Sequence, residues 1–174
     1  MVNYFELYGL PVSFHPDQDA VKKKFYELSK QHHPDRFTLA DDDTQQEALQ
    51  MAALINTAYK TLQSPDATIQ YVLKLNEVLE EEEKYSLPPD FLMEMMELNE
   101  LVSDYEMDPD EAKRGKAVNS WREQNTLLDM ETKKLTDRFD QEKDNKVLLE
   151  IKDCYFRKKY LLRIQERINT FAAR

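Results

Sequence analysis

Apolar residues recur at helical spacing along nearly the whole chain. Between residues 17 and 32, Val21, Phe25, Leu28 and His32 fall on one stripe when about 100° is allowed per residue. The same periodicity returns in every later segment that is free of proline. It predicts helices at about residues 4–8, 17–32, 44–63, 65–75, 89–105, 108–139 and 145–171.

Capping residues and prolines define the ends of these predicted helices. Asn3 is a suitable N-cap for the first helix, and Gly9 is a typical stop. Asp17 caps the second helix, which Pro34 ends because its ring disfavours helix at the preceding residue. Asp108, followed by a proline, predicts the start of the long helix near residue 108.

These elements predict an all-α protein with two domains. The second and third helices flank one loop, at about residues 38–44, and should form an antiparallel hairpin with the first helix packed across it. The acidic run 80–83 and the prolines at 88 and 89 mark a boundary. We therefore expect an N-terminal domain at 1–75, a linker at 76–88, and an antiparallel three-helix bundle at 89–174.

Composition excludes several classes of function. The chain has 174 residues and a net charge of −10, so nucleic acid is not an expected partner. Two glycines are too few for the usual nucleotide-binding loops. No apolar run reaches the roughly 20 residues that span a bilayer, and the N-terminus lacks the pattern of a signal peptide. The single cysteine, Cys154, excludes an internal disulfide and fits a reducing compartment, most simply the cytoplasm.

The tripeptide His33-Pro34-Asp35 follows a lysine-rich helix face. Proline fixes φ and stops the helix, so the turn should be rigid and should expose an imidazole and a carboxylate. Such a carboxylate can accept hydrogen bonds from a partner's arginine. The arrangement favours contact with another protein rather than catalysis.

The tripeptide has other interpretations. It could be an ordinary turn that ends a helix. A metal site at His32, His33 and Asp35 is disfavoured because adjacent histidines point about 100° apart on a helix, whereas helical zinc sites prefer i, i+4 spacing. An enzyme using His33 as a base is disfavoured because no nucleophile motif or cofactor loop lies nearby. A purely structural helical protein would not need a rigid turn.

Residues 1–72 resemble a J-domain, the module through which co-chaperones act on DnaK-class chaperones. The resemblance rests on Tyr4-Phe5-Glu6-Leu7-Tyr8-Gly9-Leu10, Phe25, Leu28, His33-Pro34-Asp35-Arg36-Phe37, Ala58-Tyr59-Lys60-Thr61-Leu62 and Ser64-Pro65. It implies that His33, Pro34 and Asp35 trigger ATP hydrolysis in the partner chaperone. It also implies docking contacts from Lys22, Lys23, Tyr26, Lys30 and Arg36. One departure is Thr68, where many J-domains carry arginine.

The first helix of the second domain has more apolar residues than one stripe needs. A seam at steps of 4, 3, 4 and 3 comprises Phe91, Met95, Leu98, Val102 and Tyr105. The opposite side carries Leu92, Met93 and Met96 together with Glu97, Glu100 and Asp104. A methionine-rich strip edged with carboxylates indicates a protein-binding surface. Alternatively, these apolar residues pack against the first domain or extend the bundle core.

The whole chain resembles the HscB family of J-type co-chaperones of iron–sulfur cluster assembly. Its Phe-Leu-Met-Glu…Glu-Leu motif is present at residues 91–98, although Met96 and Asp104 stand where leucine and glutamate are common. The resemblance implies a non-enzymatic protein without a cofactor, whose partners are an HscA-like chaperone and an IscU-type scaffold protein. It implies scaffold contacts at Leu92, Met93, Met96, Glu97, Glu100, Asp104 and Phe156. A J-protein serving a different client is the rival hypothesis.

Overall fold

The structure is a computed structural model that describes residues 2–172. The chain divides into two compact units between Glu77 and Val78. Within the described residues the secondary structure is helical, as the periodicity predicts. None of these helices combines the length and the apolar character that a membrane crossing requires.

The first unit is a helical hairpin with a short helix across it. Its elements are α1 (Tyr4–Tyr8), α2 (Gln18–Gln31), a 3₁₀ turn (Pro34–Phe37), α3 (Asp42–Gln63) and α4 (Pro65–Leu75). Helices α2 and α3 pack together, α1 contacts both, and the 3₁₀ turn lies against α3. The predicted N-terminal hairpin is therefore confirmed.

Capping hydrogen bonds fix the helix ends. The side chain of Asn3 accepts from the N–H groups of Phe5 and Glu6, and Gly9 takes the left-handed conformation with a φ of 63°. Asp17 caps α2 as predicted. The loop before α3 is shorter than expected, because Asp41 accepts a hydrogen bond from the backbone N–H of Thr44 and extends the helix towards its N-terminus.

Aromatic side chains hold the helices of the first unit together. Phe25 of α2 stacks on Tyr59 of α3, with 4.2 Å between ring centroids. Buried Tyr8 donates a hydrogen bond from its hydroxyl to the Ile55 carbonyl at 2.8 Å. This packing fixes α2 from one side and leaves its lysine face outside.

Thr68 has a structural role at the position where the sequence departs from the J-domain pattern. Its side chain is buried, and its hydroxyl donates to the Thr61 carbonyl at 2.9 Å. This bond joins the beginning of α4 to the end of α3. The short polar side chain therefore satisfies a carbonyl near the helix end.

The second unit contains three long helices. They are α5 (Pro89–Met107), α6 (Glu111–Glu142) and α7 (Val147–Ala172), and each packs on the other two. The predicted three-helix bundle is confirmed. Its core comprises Phe91, Met95, Leu98, Val102, Tyr105, Ala117, Leu128, Cys154, Leu161, Ile164 and Ile168.

The start of α6 differs from the prediction. Asp110, and not Asp108, is its N-cap, since the Asp110 carboxylate accepts from the N–H groups of Ala112 and Lys113. Asp108 instead ends α5, and its carboxylate pairs with the Lys113 ammonium at 2.5 Å. Asp108 and Asp110 flank Pro109, and the rule that a cap precedes a proline at the first helical position favoured Asp108, which is wrong.

A segment that precedes α5 packs on α7. The ring of Tyr85 stacks on Phe156 with 4.3 Å between centroids, and its hydroxyl donates to Asp153 at 2.8 Å. The Glu83 carboxylate pairs with the Lys152 ammonium at 2.5 Å. This part of the predicted linker is thus fixed to the second unit.

The buried phenol of Tyr8 gives a prediction for alkaline stability. Burial raises its pKa from 10.0 to about 12, so the folded state favours the protonated phenol. Its contribution is fully present below pH 10.0 and is lost as the pH rises through about 12. In Tyr8→Phe, the fall in thermal midpoint over this interval should be smaller than in the wild type, with the midpoints followed by circular dichroism. An equal fall in both proteins would show that Tyr8 is not responsible.

Candidate functional site

The turn after α2 exposes the two polar side chains that the sequence analysis singled out. The side chains of His33 and Asp35 are 57 % and 86 % exposed. The backbone N–H of Asp35 donates to the Nδ1 atom of His33 at 3.3 Å, so this nitrogen caps the 3₁₀ turn. In a neutral imidazole the remaining nitrogen, Nε2, then carries the proton. The turn therefore offers an outward donor and a carboxylate.

Arg36 ties this turn to the end of α2. Its Nη1 atom donates to the Lys30 carbonyl at 3.0 Å, which occupies one of the carbonyls left without a partner at the helix C-terminus. The hydroxyl of Thr38 donates to the Asp35 carbonyl at 3.4 Å. The side chain of Arg36 remains exposed, so it can still contact a partner while it holds the turn in place.

The outer face of α2 is basic and open. Lys22, Lys23, Tyr26 and Lys30 are all exposed. Among the described residues, the three lysines make no ion pair, whereas their neighbour Lys24 pairs with a glutamate of its own helix. This face ends at the His33 turn. A cationic surface of this kind fits an acidic partner.

On α5, the structure separates the two apolar stripes. The seam of five residues faces the bundle interior. Leu92, Met93 and Met96 are 41 %, 67 % and 58 % exposed, so they are not part of the bundle core. They share the outer face with three exposed carboxylates. We define the α5 strip as Leu92, Met93, Met96, Glu97, Glu100 and Asp104.

The carboxylates of the α5 strip have no basic partner on their own helix. Helix α5 contains no lysine, arginine or histidine. No basic side chain within residues 2–172 lies at ion-pair distance from Glu97 or Glu100. Lys113, which pairs with Asp108, is also attracted by the Asp104 carboxylate at the end of the strip. The strip thus combines exposed apolar area with unpaired negative charge.

Phe156 differs from the other predicted scaffold contacts. It lies about 160° around α7 from the core residue Cys154, yet it is only 8 % exposed because Tyr85 stacks on it. The covering residue comes from outside the three helices, and helical periodicity cannot reveal it. The role of Phe156 in scaffold binding stays a prediction, and its substitution would disturb packing.

Cys154 lies in the bundle core. Burial raises the pKa of its thiol from 9.0 to about 11. The Arg157 guanidinium donates to its sulfur at 3.3 Å. In the part of the chain that the structure describes, no three histidine, cysteine or carboxylate side chains converge as they would around a metal ion. A neutral buried thiol is a poor ligand for a cluster.

Met107 and Tyr85 are absent from the sets predicted from sequence. Met107, in the last turn of α5, is exposed on the side of the α5 strip. Continuing the helical spacing of Met96 and Glu100 to the end of the helix would have found it. No sequence pattern predicts the role of Tyr85, because its contact with α7 depends on where the segment before α5 runs in the folded chain.

The environment of Cys154 gives a direct test with a thiol reagent. Reagents such as dithionitrobenzoate attack the thiolate, which the raised pKa and the burial both suppress. Native protein at pH 8 should react at least about a hundredfold more slowly than protein unfolded in guanidinium. Absorbance of the released thiolate measures the rate. Rapid labelling of the native protein would mean that the thiol is accessible.

Two family models match the chain. Residues 3–71 match the DnaJ domain, which is the J-domain, and residues 87–169 match the HSCB C-terminal oligomerisation domain. The first match contains α1, α2, the His33 turn, α3 and most of α4. The second contains α5, α6 and nearly all of α7.

Curated relatives and solved structures agree with these matches. The co-chaperone protein HscB homolog of Vibrio atlanticus is 35 % identical over 136 residues, which cover 75 % of this chain and 80 % of the relative. The homolog of Vibrio cholerae is 43 % identical over 57 % of this chain and 58 % of its own length.

The structure of the chaperone HscB from Vibrio cholerae matches with a TM-score of 0.72 at 28 % identity, covering 99 % of this chain and 98 % of that one. The crystal structure of human co-chaperone protein HscB matches with a TM-score of 0.73 at 25 % identity, covering 98 % and 82 %. With both domain signatures and a full-length structural match, the chain belongs to the HscB family of J-domain co-chaperones.

Proposed function

We propose that this co-chaperone delivers an IscU-type iron–sulfur scaffold protein to an HscA-like chaperone of the DnaK class and stimulates the ATPase of that chaperone. The chemistry belongs to the chaperone, and the co-chaperone acts by binding. The observation that carries the proposal is the presence of two open surfaces of opposite charge on one chain. One is the basic face of α2 with its fixed turn, and the other is the α5 strip.

The chaperone side is supported by the geometry of the turn. His33 and Asp35 are exposed, and the hydrogen bond from Arg36 to the Lys30 carbonyl holds them at the end of α2. Because the turn is already ordered, docking it costs little conformational entropy. The lysines of α2 steer it to an acidic surface, and contact of His33 and Asp35 then favours the hydrolysis-competent state of the chaperone.

The scaffold side is supported by the α5 strip. Unpaired carboxylates beside flexible methionines fit a partner with an apolar contact surface and basic residues at its rim. Leu92 and Met96 lie one turn apart and can be buried together. They are the strongest candidates for anchors.

Covalent connection of the two surfaces has a kinetic consequence. A scaffold bound to α5 is held at high effective concentration near any chaperone that engages α2. The cluster is cargo of the scaffold, and the buried neutral thiol of Cys154 does not ligate it. A single cysteine also supports a reducing compartment, for which we infer the cytoplasm.

The role of the turn is tested by His33→Gln. Glutamine keeps a polar side chain but lacks the imidazole geometry, so stimulation of the HscA-like chaperone should fall to the unstimulated rate. Steady-state ATPase with and without the scaffold measures this. Circular dichroism should be unchanged, since His33 is exposed and lies outside the helices.

His15→Gln is the matched control, because His15 is exposed in another loop. It should keep full stimulation. Stimulation by His33→Gln at the level of the wild type would refute the assigned role of the turn.

The scaffold surface is tested by Leu92→Ala combined with Met96→Ala. Loss of two anchors should weaken binding of the IscU-type scaffold by about 2 kcal/mol or more, roughly thirtyfold in the dissociation constant. Isothermal titration calorimetry measures the affinity. The thermal midpoint should change little because both side chains are exposed.

The double variant Leu127→Ala with Met130→Ala is the control, since these residues are 62 % and 66 % exposed on α6. It should bind the scaffold normally. If the wild type stimulates the chaperone but binds no scaffold, the rival hypothesis of a different client is favoured. A collapse of thermal stability in the α5 variant would assign its side chains to packing.

A further inference from the structure

An exposed methionine at the end of α5 extends the α5 strip. Met107 is 85 % exposed, more than any apolar residue of the strip itself. At about 100° per residue, Met93, Met96 and Met107 all lie within about 40° of Glu100 around the helix axis. Met107 is therefore on the centre line of the same face, three turns beyond Met96.

The distances along the helix define an elongated surface. At about 1.5 Å per residue, the apolar positions from Leu92 to Met107 span about 22 Å. Glu100 and Asp104 lie between the two apolar ends. The face is thus apolar at each end and acidic in the middle, with no basic residue anywhere on α5.

We propose that the scaffold partner contacts the entire length of α5 and that Met107 is a second apolar anchor at the C-terminal end of this face. The partner must then present two apolar contacts about 15–20 Å apart, with lysine or arginine between them opposite Glu100 and Asp104. This inference rests on the proposed function, because it concerns the same partner and the same helix.

The exposure of Met107 has no internal explanation among the described residues. The backbone N–H of the next residue, Asp108, donates to the Asp104 carbonyl at 3.1 Å, so the backbone that carries Met107 is helical. An ordered backbone with a long flexible thioether offers apolar area at small entropic cost to a partner. Met107 differs from an isolated surface methionine because it shares its helix face with Leu92, Met93 and Met96 and with the unpaired Glu100 between them.

The test compares substitutions of Met107 with the same substitutions of Met130, which is 66 % exposed on α6. Met107→Ala should weaken binding of the IscU-type scaffold about fivefold. Met107→Lys should weaken it more, because it places a charged ammonium against the partner's apolar contact. Lysine near a helix C-terminus does not disturb the helix. Met130→Ala and Met130→Lys should leave the dissociation constant unchanged, as measured by calorimetry.

Comparison with the Leu92→Ala and Met96→Ala variant separates two kinds of failure. If that variant loses affinity while both Met107 variants bind like the wild type, the contact ends before the last turn of α5. This inference is then wrong, while the proposed function stands. If neither set of variants loses affinity, the proposed scaffold surface is wrong, and the proposed anchor role of Met107 is rejected as well. Equal losses in the Met107 and Met130 variants would also overturn the inference, since the effect would not be specific to this face.

Discussion

A helix that packs against neighbours on one side can bury only one stripe of its surface, and this constraint governs both functional surfaces of the protein. On α2, burial of Val21 and Leu28 directs the lysines outward. On α5, burial of the seam leaves a second apolar stripe with nothing to cover it among the described residues of the bundle. Polar residues on an outer face need no explanation, whereas an uncovered apolar stripe does.

Order at these surfaces comes from contacts that lie behind them. The His33 turn is held by a proline, by the imidazole that caps it, and by the Arg36 guanidinium on the Lys30 carbonyl. The bundle is tied by Arg157, which binds Glu131 through two hydrogen bonds and Asp153 through a third. Such bidentate, charge-assisted bonds fix geometry better than a simple surface ion pair does. In both units, therefore, the surface offered to a partner is already ordered before the partner binds.

Two features that the sequence pattern did not reveal have a clear physical origin. Asp108 and Asp110 both satisfy the rule for an N-cap, and only the path of the chain between α5 and α6 chooses Asp110. Phe156 lies off the core stripe of its helix, yet Tyr85 arrives from outside the bundle and buries it. Both cases depend on where a non-helical segment runs, and no periodic pattern encodes that path.

Local sequence alone was enough to predict the helices, most of their caps, the buried seam of α5 and the turn at His33. Spacing of about 3.6 residues, capping side chains and proline are local properties, so they can be read without coordinates. The coordinates were needed to show which exposed groups stay unpaired, that the Arg36 side chain supports the turn, and that Tyr85 covers Phe156. The covering of Phe156 depends on a residue about 70 positions away, which only the folded chain brings into contact with it.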